Sequence, residues 1–340
     1  MVRANTYLRL DWPGRRSKSW ATNIINIKTI SVNVYSSNRI RIGPPLLLVK
    51  DIDRELRFYE EYFDLKPIRK YQNHSGDRDF IYDLDFRHLS GSSEGLPLIS
   101  LQHSPDAKIP SLRSAGLYHF AILVPDRSDL AATYLALKGY GLRFDGFADH
   151  LVSESLYLRD PENNGIEIYR DRPSEEWPRD AEGRLVMDTL PLNLQSLLSE
   201  TNSVESYNKI PFPNGGVIGH IHLKVTNLER SIKFYHEKLG LDMTTTDWIS
   251  MGVAFLSEGG YHHHVAINTS NSLNGDVHQD GVTGLENFTI IVSDASFYNS
   301  LKSNIMMNNP TSGSKIVQND ATDKFTIMDP DGIQIIIRTK

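Results

Sequence analysis

Apolar positions along this chain keep changing rhythm, and the changes repeat. In VIGHIHLKVTNLERSIKFYHEKLGL, starting at Val217, the first residues read as a strand. Leu228, Ile232, Tyr235 and Leu239 then recur at the spacing of an amphipathic helix. Asn227 stands where an N-cap belongs. A similar stretch, RIGPPLLLVKDIDRELRFYEEYFDL, starts at Arg41, offset by 176 residues, with Asp51 at the cap position. Gly43 matches Gly219, Val49 matches Val225, Arg54 matches Arg230, Phe58-Tyr59 matches Phe234-Tyr235 and Leu65 matches Leu241. A second pair follows the first. GLYHFAILVPD starts at Gly116 and GLENFTIIVSD at Gly284, each a strand running into a turn. Further on, DPENNGIEIYRD from Asp160 and DPDGIQIIIRT from Asp329 each put an Asp-Pro turn before an apolar strand.

The repeated unit is therefore strand, helix, then several strands, and it occurs four times. Module 1 lies near 42–112, module 2 near 113–172, module 3 near 216–275 and module 4 near 282–340. This predicts an α+β fold with one domain over 41–172 and another over 216–340. The prolines, charges and serines of 173–215 read as a long linker with one short helix around Leu192 to Leu198. Residues 1–40 carry seven basic residues against the single acid Asp11 and no clear apolar core. They read as a flexible extension or an overlong start, not as a signal peptide.

Composition narrows the chemistry. The chain has 340 residues, 39% hydrophobic and 23% charged, with a net charge of −6. That balance does not suggest a nucleic-acid or membrane surface. No apolar run approaches the roughly 20 residues a bilayer span needs. There are no cysteines, which excludes disulfides, thiolate metal sites and a cysteine nucleophile. A cytoplasmic, reducing compartment is expected.

Four strand–helix–three-strand modules with this helix signature resemble the vicinal oxygen chelate superfamily, which includes glyoxalase I and the type I extradiol ring-cleaving dioxygenases. The resemblance covers residues 41–340. It implies four βαβββ modules forming paired U-shaped mixed sheets, with one divalent metal held between two modules. In the family the ligands come from the first and last strand of each module of a pair. Carried onto this chain, the first-strand positions are Pro44, His119, His220 and Asn287. The last-strand position is Glu167 in module 2, and Ile336 or Ile335 in module 4. Proline and isoleucine cannot ligate a metal. Only modules 2 and 3 together supply a full set, His119, Glu167 and His220. That pairing departs from the chain-neighbour layout commoner in the dioxygenases. Two histidines and a carboxylate with open positions are the ligation of non-haem Fe(II) oxygenases, and Mn(II) is a possible substitute.

The resemblance also implies roles around the metal. In GGYHHHVAIN, the His-His dipeptide His263-His264 matches the family's acid–base histidine. Strand alternation puts His264 on the face of His262, which favours His264 for that role. His263 stays as the alternative, because a one-residue slip exchanges the faces. Tyr157, ten residues before Glu167, matches a tyrosine that hydrogen-bonds a substrate oxygen. His150 is a candidate substrate contact. His222, on the face of His220, is a candidate ligand neighbour or substrate contact. His74, His88, His103, His236 and His278 have no assigned role.

The function implied is an Fe(II)-dependent extradiol dioxygenase that opens a catechol-type ring with O2, its partners being small molecules and its oligomeric state open. A glyoxalase-type metal-dependent lyase or isomerase is the alternative, and it would favour a fourth protein ligand such as His264. A non-enzymatic small-molecule-binding relative is the third reading.

Overall fold

The computed structural model of the chain describes residues 39–72, 80–86, 96–201, 215–307, 316–318 and 323–339. The N-terminal segment 1–38, His74, His88 and linker residues 202–214 lie outside them. Four βαβββ modules follow one another. Module 1 is β1 (Ile40–Val49), α1 (Ile52–Phe63), β2 (Lys66–Gln72), β3 (Phe80–Asp85) and β4 (Ile99–His103). Module 2 is β5 (Gly116–Leu123), α2 (Arg127–Gly139), β6 (Phe144–Asp149), β7 (Ser153–Arg159) and β8 (Gly165–Asp171). After β9 (Leu190–Pro191) and α3 (Leu194–Leu198) comes module 3. It holds β10 (Val217–Lys224), α4 (Leu228–Lys233), β11 (Asp242–Thr245), β12 (Val253–Ser257) and β13 (Val265–Asn268). Module 4 is β14 (Gly284–Val292), α5 (Ala295–Met307), β15 (Ile316–Gln318), β16 (Lys324–Met328) and β17 (Gln334–Thr339).

The helices start where their caps dictate. The Asp51 side chain accepts from the Arg54 amide, and Asn227 accepts from the Arg230 amide. Each satisfies one of the donors a helix leaves open at its N-terminus. Ile52, Phe58, Tyr59 and Phe63 form the buried stripe of α1. Its counterpart in module 3 is less regular: α4 ends at Lys233 and the chain continues through a wider π-helical turn, Phe234–Lys238.

The strands make two curled mixed sheets. One has eight strands in the order β15-β16-β17-β14-β1-β4-β3-β2, built from modules 4 and 1. The other has nine in the order β11-β12-β13-β10-β5-β8-β7-β6-β9, built from modules 3 and 2 with β9 at its edge. The sheets thus join module 2 to 3 and module 1 to 4, the pairing that the ligand positions require. The joins are antiparallel, β5 on β10 and β1 on β14. Within each module the first and last strands pair in parallel, as β5 with β8 and β10 with β13 do. The fold therefore lays β8, β5 and β10 side by side.

The composition of 173–215 predicts a linker, but its described part is packed. Trp177, Leu185 and Met187 join Val152 and Tyr261 in a small apolar cluster. Leu190–Pro191 pairs with β6. Apolar residues spaced among charges carry little periodic signal, so their common destination is not visible locally. Among the described residues, no helix is long and apolar enough to cross a membrane.

Candidate metal centre

Register brings the predicted ligands together. Ala121 of β5 lies opposite His220 on one side and Glu167 on the other, and Glu167 in turn lies opposite Tyr157 of β7. Lateral neighbours in a sheet point to the same face, so this row and His119, two residues back on β5, share one face. Ala121, between the larger side chains, presents only a methyl group.

Glu167 Oε2 lies 2.8 Å from His119 Nε2 and 3.0 Å from His220 Nε2. All three residues are buried, with 2% of Glu167 and 1% of His220 exposed. The three ligand atoms lie within 4.8 Å of one another, and this is the metal-competent group among the described residues. His119 Nε2 approaches the carboxylate without hydrogen-bond geometry and has no other partner among the described residues. Burial lowers His220 to about 4, so at neutral pH it presents a lone pair. Among the described residues the carboxylate accepts the Tyr157 hydroxyl at 3.0 Å and otherwise faces the two histidine rings. Such a buried charge is costly without a cation. Ligands at right angles on a metal with bonds of about 2.1 Å sit about 3 Å apart, close to the separations found. The donor set and its geometry therefore fit a divalent ion, which His119, Glu167 and His220 would hold.

A cavity of about 400 Å³ opens over this face. His119 and Glu167 line its floor, with Tyr157, His150, His222 and His263 around them. Tyr157 Oη stands between Glu167 and His150 Nε2, the latter at 2.7 Å. His150 Nδ1 donates to the Asp188 carbonyl at 2.8 Å. His222 Nε2 meets the Asn268 amide at 2.9 Å. Burial holds His222 and His263 well below the ordinary imidazole range.

The two histidines proposed for acid–base work separate clearly. His263 lines the cavity, with its ring 4.1 Å from that of His220. His264 is fully buried and is not part of the cavity wall. Its Nδ1 meets the Ser257 hydroxyl at 2.9 Å, and burial lowers it to about 3. The preference for His264 rested on strand alternation through the run. The strand, however, begins at Val265, and the chain bends at His262 and His264. His262 and His264 both pack against Tyr261, away from the cavity, so alternation separates them from His263 but does not say which side meets the cavity.

Other lining residues carry no sequence signal. Trp248 and Phe255 form an aromatic wall from module 3, and Met187, Asp188 and Thr189 arrive from the segment read as linker. The Trp248 indole donates to the Met187 carbonyl at 3.2 Å. Their roles come from contacts across 61 residues of sequence, which no local pattern reports.

The description "Glyoxalase/Bleomycin resistance protein/Dioxygenase superfamily" matches residues 41–168 and 217–337. A Bacillus subtilis protein named catechol-2,3-dioxygenase is 36% identical over 252 residues, covering 74% of this chain and 82% of its own. Glyoxalase I from Zea mays has the same fold at 17% identity, with a TM-score of 0.54, covering 91% of this chain and 95% of its own. Matched over most of its length by the family and by a relative of this identity, the chain belongs to the glyoxalase/bleomycin resistance protein/dioxygenase superfamily.

Proposed function

We propose that this protein is an extradiol dioxygenase that opens a catechol-type ring with O2, using Fe(II) held by His119, Glu167 and His220. Mn(II) suits the same donors. The observation that carries the reading is the meeting of these residues beneath a cavity that His119, Glu167 and His263 line. The 36% identity with a relative named catechol-2,3-dioxygenase supports it. Both oxygen atoms enter the ring-opened product, so no outside reductant is needed.

Bound there, the ion would supply positive charge and open positions for a diol and O2. The chain's own residues do the rest. His263 takes a proton from a diol hydroxyl and returns it as the ring opens. Tyr157 bonds Glu167 and His150, and offers its oxygen to the substrate side of the cavity. Trp248 and Phe255 give the ring an apolar wall. Met187, Asp188 and Thr189 of the packed linker segment line the cavity and limit water around the reacting groups. A chain without cysteine suits work in the cytoplasm.

The lyase reading favours a fourth protein ligand. Among the described residues the cluster holds three, and His264 faces Ser257 instead.

The test is anaerobic loading with Fe(II), followed by oxygen uptake with catechol. We expect uptake with formation of a yellow ring-opened product. No uptake with any simple catechol, at full iron occupancy, would remove the assignment.

A further inference from the structure

Behind His263 stands a chain of polar side chains for which the ring-opening reading has no use. Asp171, the last residue of β8, places Oδ1 at 2.8 Å from His262 Nε2. His262 Nδ1 lies 2.8 Å from His263 Nδ1. The second oxygen of Asp171 accepts from the Tyr261 hydroxyl at 2.9 Å. Tyr261 has a single proton and gives it to Asp171, so its 2.7 Å contact with Tyr169 is one in which Tyr169 donates. The assembly is enclosed: His262 is fully buried, and the Trp177 ring packs 5.4 Å from it.

Donors and acceptors can be counted along this chain. A carboxylate only accepts, so the proton between Asp171 and His262 sits on His262 Nε2. A His262 ring that donates through Nε2 alone is left with a lone pair on Nδ1. Two ring nitrogens in contact share one proton, and on this count it belongs to His263 Nδ1. Neutral His263 is left with a bare Nε2. That atom has no hydrogen-bond partner among the described residues, and its ring lines the cavity. The bond made by one ring nitrogen of a histidine decides the state of the other.

We infer that Asp171 and His262 are positioning residues that fix the tautomer of His263, so that its Nε2 meets the substrate as a proton acceptor. The arrangement has the logic of a nucleophile's base oriented by a buried carboxylate, extended by one imidazole. It rests on the dioxygenase reading only for which proton is taken. His263 begins the reaction as base towards a diol hydroxyl. It becomes an acid only after taking that proton. Without His262 the ring is free to rotate and to carry its proton on Nε2, the wrong state for accepting one.

The experiment is nitrogen-15 NMR of the histidine rings in the full-length, zinc-loaded protein, with His263 assigned through His263→Gln. We expect His263 to show a protonated Nδ1 and a bare Nε2. Asp171→Asn and His262→Phe should lose that signature. With iron they should bind metal as wild type does, keep KM for catechol, and lose kcat by about 10- to 100-fold, the usual effect of removing an orienting partner. Asp171→Asn preserves shape, and serves should His262→Phe fail to fold. A wild-type His263 carrying its proton on Nε2 would overturn the inference, as would a signature unchanged in both variants. An intact signature in a protein that consumes no oxygen would instead remove the dioxygenase reading and leave the tautomer assignment standing.

Discussion

Single residues make two buried carboxylates behave in opposite ways. Glu167 sits among imidazoles at the proposed ion site. Glu167→Gln keeps its shape and removes its charge, and should weaken metal binding by at least about 100-fold. Metal content after dialysis against a weak chelator checks this, and full retention would count against the ligand role. Glu55 is fully buried on α1, with neither carboxylate oxygen partnered among the described residues, and burial beside Asp160 and Glu162 pushes it up to about 9. At neutral pH it is therefore protonated. Its pKa is raised on folding, so its contribution to stability is complete below the ordinary value near 4.5 and is lost as pH rises towards about 9. Glu55→Gln escapes that loss. Urea unfolding at pH 5 and pH 8 should show the variant gaining on wild type at the higher pH, by an amount on the order of 1–3 kcal/mol. An equal difference at both pH values would refute the assignment. Ser231 occupies the matching position in module 3 and donates to Asp331 at 3.0 Å. Protonated Glu55 has the same capacity to donate.

At the level of elements, the repeated glycine near the start of each odd module has a specific reason at Gly219. A Cβ there would overlap the hydroxyl and ring of Tyr169 from β8. The close approach of β10 to that ring lets Tyr169 reach Tyr261. Gly219→Ala overpacks a buried site and should cost about 1–3 kcal/mol. The cost should fall when Tyr169→Phe removes the nearest atom, which a double-mutant cycle by denaturant unfolding measures. Additive effects would show that the clash is relieved elsewhere. The helices, caps and Asp-Pro turns are legible in the sequence because each is set by residues within a few positions. The histidine run is less so. Its residues lie just before the strand, alternation does not say which side of them meets the cavity, and no repeat partner in module 1 clarifies it. The 173–201 segment is the least legible element, since its apolar residues bury against distant ones.

For the molecule as a whole, two kinds of contact pair the modules differently. Sheets join 2 to 3 and 1 to 4. Helices reach instead to the turn of the next module along the chain. Tyr59 of α1 donates to Asp160 of module 2 at 3.0 Å, and Tyr235 of module 3 donates to Asp329 of module 4 at 2.9 Å. Glu162 accepts from the amides of Lys50 and Asp51, and Asp331 from that of Thr226, at equivalent points. The proposed site thus lies on a seam between the two halves of the chain. The cavity's charge carries a prediction about substrate. Among the described residues Arg159 is the one lysine or arginine lining it, and it is paired with Asp145 at 2.7 Å. Asp145, Asp188 and Glu167 also line it. A carboxylate on the ring meets no free cation there, so KM for a carboxylated catechol should exceed that for catechol by roughly tenfold, about 1.4 kcal/mol. Steady-state oxygen uptake with both compounds checks this, and tighter use of the acid would contradict it.

The sequence by itself determined the repeat, the four βαβββ modules and the short set of residues able to hold a metal. These follow from local periodicity, from turn chemistry and from which side chains carry lone pairs. Tertiary structure decided which modules share a sheet, that His263 and not His264 faces the cavity, and that Asp171 stands behind His262 from 91 residues away. It also decided that the supposed linker walls the pocket. The physical reason is common to all of these. A residue's own rhythm says which face it prefers, but the partner on that face is supplied by distant chain, and only packing brings the two together.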